Sequence, residues 1–288
     1  MNVISLHTYP IKAMRGLSHD AMSIEQSGAS GDRRFMVVDG ENHFLSQREI
    51  SDLATIAVLP SETGLLLSIA GEEIAVDTPN GSERVNAMMW GEVVHAALVD
   101  NSINQALSAA LGRKVKLVYM DDAARRSADP EFAGDGKEVS FADGFPYLVT
   151  NENSLTALND HIMASAGAAG AEPVGMERFR TNIAVTGAPA FDEDTWKVIR
   201  IGDVLFDCVK PCARCAVTTR DQLTGATNPE NQPVRALTQI RRSADRRVPG
   251  VLFGENLVPR NEGTIYVGDE FEVLERRAAW PVSSFKVR

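Results

Sequence analysis

All three cysteines of this 288-residue chain lie between positions 208 and 215, at Cys208, Cys212 and Cys215. Three thiols are too few for a disulfide framework, and such crowding is typical of a metal site or of a reactive thiol. A thiolate is both a nucleophile and a soft metal ligand. The segment 208–215 is therefore the first candidate for chemistry.

Two metal chemistries fit the cysteine spacing poorly. The C-x3-C-x2-C arrangement matches the spacing that holds an iron–sulfur cluster in radical-SAM enzymes, but there it lies near the start of a β/α barrel. Here only about a quarter of the chain follows the motif, and that remainder has a strand pattern. A zinc site would need histidines, and none of the five histidines stands at a zinc-motif spacing.

Strand alternation separates Cys208 from the other two cysteines. Cys208 lies in the predicted strand Val204–Val209, on the same face as Phe206. Free cysteine is among the side chains most often buried as small hydrophobes. This pattern favours a core position for Cys208.

The other two cysteines lie in residues 211–215, which are predicted to form a turn after that strand. The neighbouring cations Lys210 and Arg214 would lower the cost of a thiolate there. From the residues alone, either Cys212 or Cys215 could be the reactive or metal-binding thiol.

The composition is that of an ordinary soluble globular protein. Hydrophobic residues make up 44% of the chain and charged residues 24%, which excludes collagen-like, coiled-coil and disordered sequences. The net charge of −10 argues against a nucleic-acid-binding surface but permits a local anion site. No run approaches 18 apolar residues, and Met1–Pro10 lacks the features of an export signal. We expect a cytoplasmic protein with neither a membrane nor a nucleic-acid polymer as partner.

Short strands separated by Gly, Pro, Asp and Asn dominate the chain, and their spacing near the start favours meanders over βαβ repeats. A strand pair around Thr264–Leu274, with its turn at Gly268-Asp269, closes the predicted fold. The other predicted strands are Val3–Thr8, Arg34–Val38, His43–Ser46, Leu65–Ile69, Glu73–Val76, Asn182–Thr186, Trp196–Ile201 and Val204–Val209. Apolar spacing predicts three helices: Asn101–Leu111, a segment that carries Leu155, Leu158 and Ile162 behind an Asn151 or Asn153 cap, and Pro233–Arg241.

The polar segment Asp121–Lys137 has little periodicity. Such a stretch is predicted to be a linker or a mobile loop over a site. A domain boundary is therefore expected there.

Seven motifs in a fixed order carry a resemblance to a known family. The cysteine stretch is KPCARCAVTTRDQLTG at 210–225, and the others are TYPIKAMRG (Thr8–Gly16), GDRRFMVVD (Gly31–Asp39), FADGFPYLVTNENSL (Phe141–Leu155), RFRTNIAV (Arg178–Val185), LFGENL (Leu252–Leu257) and GTIYVGDEFEVL (Gly263–Leu274). In number and order they resemble the MOSC domain family, named for the C-terminal domain of molybdenum cofactor sulfurases. Within it, the chain looks like the amidoxime-reducing components and the bacterial YcbX-like proteins.

This resemblance implies a mainly β fold with short helices (α+β). A MOSC N-terminal β-barrel domain over residues 1–120 would pack on a β-barrel-like MOSC domain over residues 121–275. Residues 276–288 would form a C-terminal tail.

The resemblance also implies a site for the molybdenum cofactor, with the Cys215 thiolate as the protein ligand to the metal. Asp143, an acid beside this ligand, suits proton transfer. The contacts to the pterin would be Lys12, Ala13, Arg34, Asp143, Gly144, Phe145, Arg180, Asn182, Ala213 and Arg214, with Ala13, Gly144 and Phe145 limited to backbone contacts. Independently of the resemblance, cations that suit a phosphate are concentrated in the motifs, together with Arg48 between two of them: Lys12, Arg15, Arg33, Arg34, Arg178, Arg180, Lys210 and Arg214.

The implied activity is reduction of N-hydroxylated compounds: amidoximes, hydroxylamines and N-hydroxylated bases. The stretch after Leu274 has no cysteine to hold a cluster, so electrons are expected from a separate ferredoxin, flavodoxin-type reductase or haem protein. Two alternatives stay open. One is a sulfur carrier in which Cys215 bears a persulfide during metal–sulfur cofactor assembly. The other is a pyridoxal-phosphate-binding protein with Lys12 or Lys210 as the aldehyde trap.

Overall fold

The computed structural model describes residues 1–69, 71–165 and 172–283 of the chain. Most of the regular structure is strand, as the sequence predicts. The strands are β1 (Asn2–Thr8), β2 (Leu17–His19), β3 (Ala21–Glu25), β4 (Gly28–Ala29), β5 (Phe35–Val38), β6 (Ala57–Pro60), β7 (Gly64–Ile69), β8 (Glu72–Asp77), β9 (Arg84–Met89), β10 (Glu92–Leu98), β11 (Lys116–Tyr119), β12 (Tyr147–Asn151), β13 (Ile183–Thr186), β14 (Trp196–Ile201), β15 (Val204–Arg214), β16 (Arg242–Ser243), β17 (Val251–Pro259), β18 (Gly263–Tyr266), β19 (Phe271–Arg276) and β20 (Val282–Ser283). The α-helices are α1 (Asn101–Ala110), α2 (Pro130–Ala133), α3 (Glu152–Ser165) and α4 (Val234–Ile240).

The largest sheet has ten strands, with the main path β19-β14-β15-β17-β12-β13-β1-β2 and with β16 and β20 beside β17. The first strand of the chain, β1, pairs antiparallel with β13, so the N-terminus completes a sheet built mostly from the second half. Strands β12 and β13 are parallel and α3 connects them, which makes one βαβ unit.

Three smaller sheets are built mostly from strands of the first half of the chain. The orders are β5-β11-β10-β9, β6-β7-β8 and β18-β3-β4. In the β6-β7-β8 sheet, β7 and β8 form the hairpin that the sequence predicts, whereas β6 was not predicted. Burial alternates along β7 as required for one core-facing side of a sheet.

Two of the predicted strand arrangements are wrong. The segment His43–Ser46 forms no strand, because only His43 and Phe44 make isolated bridges, to Met88 and Val38, before Ser46 begins a turn. The strands of the expected closing pair exist, but they do not pair with each other. The turn at Gly268 sends β18 to β3 and β19 to β14, so the two strands belong to different sheets.

The largest core cluster lies on the ten-stranded sheet, around Trp196, Phe206 and Phe271. Cys208 belongs to this cluster at 3% exposure, which confirms the core position predicted from alternation. A second cluster, with Ile11 and Phe35, fills the space between the smaller sheets and α1.

Helix termini follow the capping residues in the sequence. The Asp100 carboxylate accepts from the Ser102 backbone N–H at 2.8 Å and begins α1, and the chain leaves the helix at Gly112 with φ of +60°. At α3, the Asn151 side chain accepts from the Asn153 N–H. Within the described ranges no helix is long and apolar enough to cross a membrane.

The polar segment 121–137 contains the short helix α2 and a buried arginine, Arg126. The Ala128 N–H donates to the Lys137 carbonyl, so the segment folds back on itself. Periodicity could not show this, because the ordering comes from one charged side chain that bonds to distant backbone carbonyls.

The predicted turn at residues 211–215 is also wrong. Strand β15 continues through Pro211 to Arg214, with bulges between Cys208 and Lys210 and between Pro211 and Ala213. A bulge leaves a residue without its ladder hydrogen bond, and this is where a sheet tolerates proline. Near the C-terminal end of β15, the bulges also change which side chains face each side of the sheet.

Candidate functional site

A cavity of about 130 Å³ lies where the end of β15 meets the loops before β5 and β12. Ten of the predicted site residues line it: Lys12, Ala13, Asp143, Gly144, Phe145, Arg180, Asn182, Ala213, Arg214 and Cys215. These residues come from four separate parts of the chain. Only the tertiary fold brings them together.

Arg34 does not line this cavity. Its Nε donates to the Met120 carbonyl at 2.7 Å, and its guanidinium lies over the Tyr119 ring. The preceding residue, Arg33, lines the cavity instead, with a backbone φ of +50°. Both arginines stand in the same motif, and the backbone turn at Arg33 decides which one faces inward.

Lys12 and Asp143 form an ion pair inside the cavity, with Nζ and Oδ1 2.5 Å apart. Burial lowers the pKa of Lys12 to about 8, although Asp143 acts in the opposite direction. At Asp143, desolvation alone would raise the pKa, but the charges of Lys12 and Arg33 outweigh it and hold the pKa well below its usual range. Because its pKa is lowered, the Asp143 carboxylate is ionised at neutral pH, and its exposed side chain is available to a ligand.

The Arg126 side chain fixes the loop that carries Asp143. This guanidinium donates to the Ala142 carbonyl at 2.5 Å and to the Asp143 carbonyl at 2.8 Å. It also pairs with the Glu92 carboxylate at the start of β10. One buried side chain therefore connects the acid of the cavity to the β9–β10 hairpin.

Three cavity arginines, Arg178 through Nε and Arg180 and Arg214 through Nη2, carry buried nitrogens that have no partner among the described residues. Arg180 donates through Nη1 to the Met14 carbonyl at 2.7 Å, while its Nη2 is buried and unpaired. Arg214 donates to the Phe253 and Phe179 carbonyls, and its Nη2 is likewise buried and unpaired. A buried donor without an acceptor costs about 1–3 kcal/mol, and more when charged. This arrangement suits an anionic ligand.

Burial lowers the pKa of Arg180 to about 10, and the nearby charge of Arg33 adds to that effect. The Arg180 guanidinium also lies over the Tyr9 ring at 4.2 Å. An anion in the cavity would relieve the cost of holding this charge away from water.

Asn182 lines the cavity, but its side-chain amide is used within the protein. Nδ2 donates to the His7 carbonyl and to Asp32, and Oδ1 accepts from the Leu148 N–H and from Arg33. An amide has two donors and about two acceptor sites, so these four bonds saturate it. Asn182 therefore positions Arg33.

The two cysteines at the end of β15 both line the cavity but differ in exposure. Cys215 is exposed and directly precedes the 3-10 helix Ala216–Thr219. Cys212 is partly buried, and burial raises the pKa of its thiol. Cys215 is thus the more accessible of the two thiols.

Sequence models of known families match both halves of the chain. The model for the MOSC N-terminal beta barrel domain covers residues 1–114, and the model for the MOSC domain covers residues 136–272. The chain belongs to the MOSC domain family. This confirms the resemblance that the seven motifs carry.

Over nearly its whole length, the chain is similar to several curated relatives at low sequence identity. Mitochondrial amidoxime-reducing component 1 of Homo sapiens is 27% identical over 94% of this chain and 82% of the relative. Molybdenum cofactor sulfurase of Oryza sativa is 22% identical over 93% of this chain, and that of Arabidopsis thaliana is 26% identical over 92%. The MOSC chain spans only 34% of the length of each sulfurase.

Several residues that line the MOSC cavity were missed by sequence reasoning. Phe44 and Trp90 carry no motif signal, and Cys212 was left undecided. The sequence Trp90-Gly91 between two alternating runs is a signal for a two-residue hairpin loop. That signal would locate the hairpin but not its contact with a cavity formed by distant loops.

Proposed function

We propose that this chain is a molybdenum-cofactor-dependent reductase of N-hydroxylated compounds. The observation that carries the proposal is the exposed Cys215 thiol in a cavity whose wall holds unpaired, buried guanidinium nitrogens. The amidoxime-reducing relatives support this reaction class, and the molybdenum cofactor sulfurases support the cofactor.

The residues present fit both the metal and the phosphate of such a cofactor. Cys215 offers one soft ligand, and Arg180 and Arg214 offer unpaired N–H groups to a phosphate. Among the residues that the structure describes, no group of three or more His, Cys, Asp or Glu converges on a metal. A single thiolate is what a metal already held by a pterin dithiolene requires from the protein.

The remaining cavity residues would shape the binding space. Ala13, Gly144, Phe145 and Ala213 have no polar side-chain atom, so any polar contact from them is made by the backbone. Asn182 acts by holding Arg33. Arg34, which lies outside the cavity, has no role in this proposal.

Reduction of R–NH–OH to R–NH2 and water consumes two electrons and two protons. When bound, the cofactor supplies the two electrons and accepts the oxygen. The Lys12 ammonium, with a pKa near 8, is charged at neutral pH and can give up a proton within the pair. The Asp143 carboxylate holds this ammonium in place from 2.5 Å. The pair is therefore suited to proton delivery in the cavity that Cys215 also lines.

The electrons would come from a separate redox protein, for which we keep the expectation of a ferredoxin, a flavodoxin-type reductase or a haem protein. The substrate would be a small N-hydroxylated molecule. The cytoplasmic location and the boundary near residue 120 also remain predictions.

A sulfur carrier is the second candidate, because an exposed thiol at Cys215 also suits a persulfide. Metal and cofactor analysis separates the two functions. The protein is purified from a host that makes molybdopterin, and molybdenum and pterin are measured per chain. The reductase requires about one molybdenum per chain. Folded protein that carries sulfane sulfur at Cys215, with neither molybdenum nor pterin, would establish the carrier instead.

A further inference from the structure

Two aromatic side chains, Phe44 and Trp90, form one side of the cavity; we call them the aromatic wall. Their rings meet edge to face, with centroids 5.5 Å apart and planes at 75°. The Lys12 ammonium lies 5.0 Å from the Phe44 centroid, and the Arg48 guanidinium lies 5.4 Å from the Trp90 ring. The wall therefore stands beside the Lys12–Asp143 pair.

Trp90 occupies a position in which the backbone disfavours tryptophan. Strands β9 and β10 pair Met89 with Glu92, which leaves Trp90 and Gly91 as a two-residue hairpin loop. Both loop residues have positive φ, +55° at Trp90 and +87° at Gly91, as a type I′ turn requires. Asn, Asp and Gly are the favoured residues for such turns. A bulky residue here carries strain, and such strain is concentrated at functional sites.

Packing alone does not explain the indole. Its residue remains 50% exposed, so it contributes little to a core. Trp90 and Asp143 line the same cavity, so the exposed part of the indole is available to a ligand there.

The hairpin that carries Trp90 is tied to the cavity at two points. Glu92 pairs with Arg126 at 2.5 Å, and Arg126 binds the carbonyls of the Asp143 loop. On the other strand, the Met88 carbonyl accepts from the Phe44 N–H at 2.9 Å. These links fix the distance between the aromatic wall and Asp143.

We propose that Trp90, with Phe44, is a specificity-determining element that selects flat, conjugated N-hydroxylated substrates by stacking against their π system. Stacking on an aromatic side chain depends on a planar face and not on a particular sequence of polar groups. The same N–OH group on a saturated carbon offers no such face. This inference rests on the proposed function, because it names the substrate class of that cavity.

A matched pair of substrates isolates the stacking contribution. Benzamidoxime and acetamidoxime carry the same N-hydroxyamidine group and differ only in phenyl against methyl. Dye-driven turnover with each is compared for the parent protein, for Trp90→Asn and for Trp90→Phe. Asparagine removes the ring and suits positive φ, so the hairpin is retained. Val93→Ala is the control, because Val93 is exposed on the same hairpin and lies outside the cavity lining.

In the parent, kcat/KM should favour benzamidoxime by about tenfold, the size expected for one aromatic stacking contact. Trp90→Asn should remove that preference through a higher KM for benzamidoxime, with acetamidoxime unchanged. Trp90→Phe should restore most of the preference, and Val93→Ala should keep all of it. A benzamidoxime preference that survives in Trp90→Asn, or an equal loss for both substrates, overturns the inference.

Binding separates this inference from the proposed function. Ligand-observed NMR titration of the two amidoximes requires no turnover. If no variant reduces either compound, the reductase fails, yet a benzamidoxime preference in binding that Trp90→Asn abolishes still supports the aromatic wall. Equal binding of both amidoximes by the parent refutes the aromatic wall regardless of activity.

Discussion

Replacement of Arg180 by alanine should release the cofactor while leaving the unliganded fold nearly as stable as before. The pKa of Arg180 falls from 12.5 to about 10, mainly through burial, and that difference corresponds to about 3 kcal/mol. Without an anion, the charged side chain is therefore unfavourable in the fold. The hydrogen bond from Arg180 to the Met14 carbonyl stabilises the fold by about 1–3 kcal/mol. The burial penalty of the charge and this hydrogen bond therefore largely cancel.

With the proposed cofactor bound, the balance would change, because the unpaired Nη2 would gain a phosphate oxygen as acceptor. A charge-assisted bond contributes about 1.5–3 kcal/mol, so Arg180→Ala should weaken retention by about 10- to 150-fold. The matched control is Arg34→Ala, which removes an arginine of the same motif set that faces the Met120 carbonyl outside the cavity. Arg34→Ala should cost about 1 kcal/mol of stability and leave retention unchanged.

The assay is molybdenum and pterin content per chain during dialysis, followed over time, with urea unfolding of the cofactor-free proteins as the measure of stability. Equal retention in Arg180→Ala and the parent would refute the phosphate assignment. Faster loss from Arg34→Ala than from Arg180→Ala would show that Arg34, and not Arg180, holds the phosphate.

Three further predictions follow from the same structure. Cys215→Ala should lose N-hydroxyl reduction per bound molybdenum, whereas Cys212→Ala should keep most of it with a packing cost of about 1 kcal/mol; the reverse result in dye-driven turnover would exchange the two roles. The purified chain should accept electrons from reduced methyl viologen but not from NADH, because it has no G-x-G-x-x-G turn after a strand; NADH oxidation by the chain alone would contradict this. Burial raises the pKa of Glu193 to about 7 from 4.5, so the folded state binds the extra proton, and the free energy of unfolding should fall as pH rises from about 4.5 to 7. Glu193→Gln should flatten that dependence in urea unfolding at pH 5 and pH 8; an unchanged slope would show that Glu193 is ionised throughout.

The alternation of β15 and the order of the motifs were enough to predict much of the fold. Cys208 and Phe206 alternate with half-buried residues, as a period of two requires, and both lie in the core. The family followed from motifs that keep their order even at low overall identity, and Cys215 then followed from the family. Strand alternation depends on neighbouring residues, and motif order depends on position along the chain. Both can therefore be read directly from the sequence.

The contacts among the motifs depend on the tertiary structure. Arg33 and Arg34 are adjacent and chemically equal, and only the positive φ at Arg33 determines that it faces the cavity. The two bulges that extend β15 arise from its pairing with β17, which is distant in the chain.

Trp90 is the clearest case, because its neighbours in sequence say nothing about Asp143. The two residues line the same cavity, and Arg126, from a third segment, binds the hairpin and the Asp143 loop together. Periodicity reports which side of an element is buried, but it contains no information about which distant loop covers that side. The sequence therefore determined the family, several of the strands and the position of the cysteine stretch, and the tertiary contacts decided which charges and rings surround that stretch.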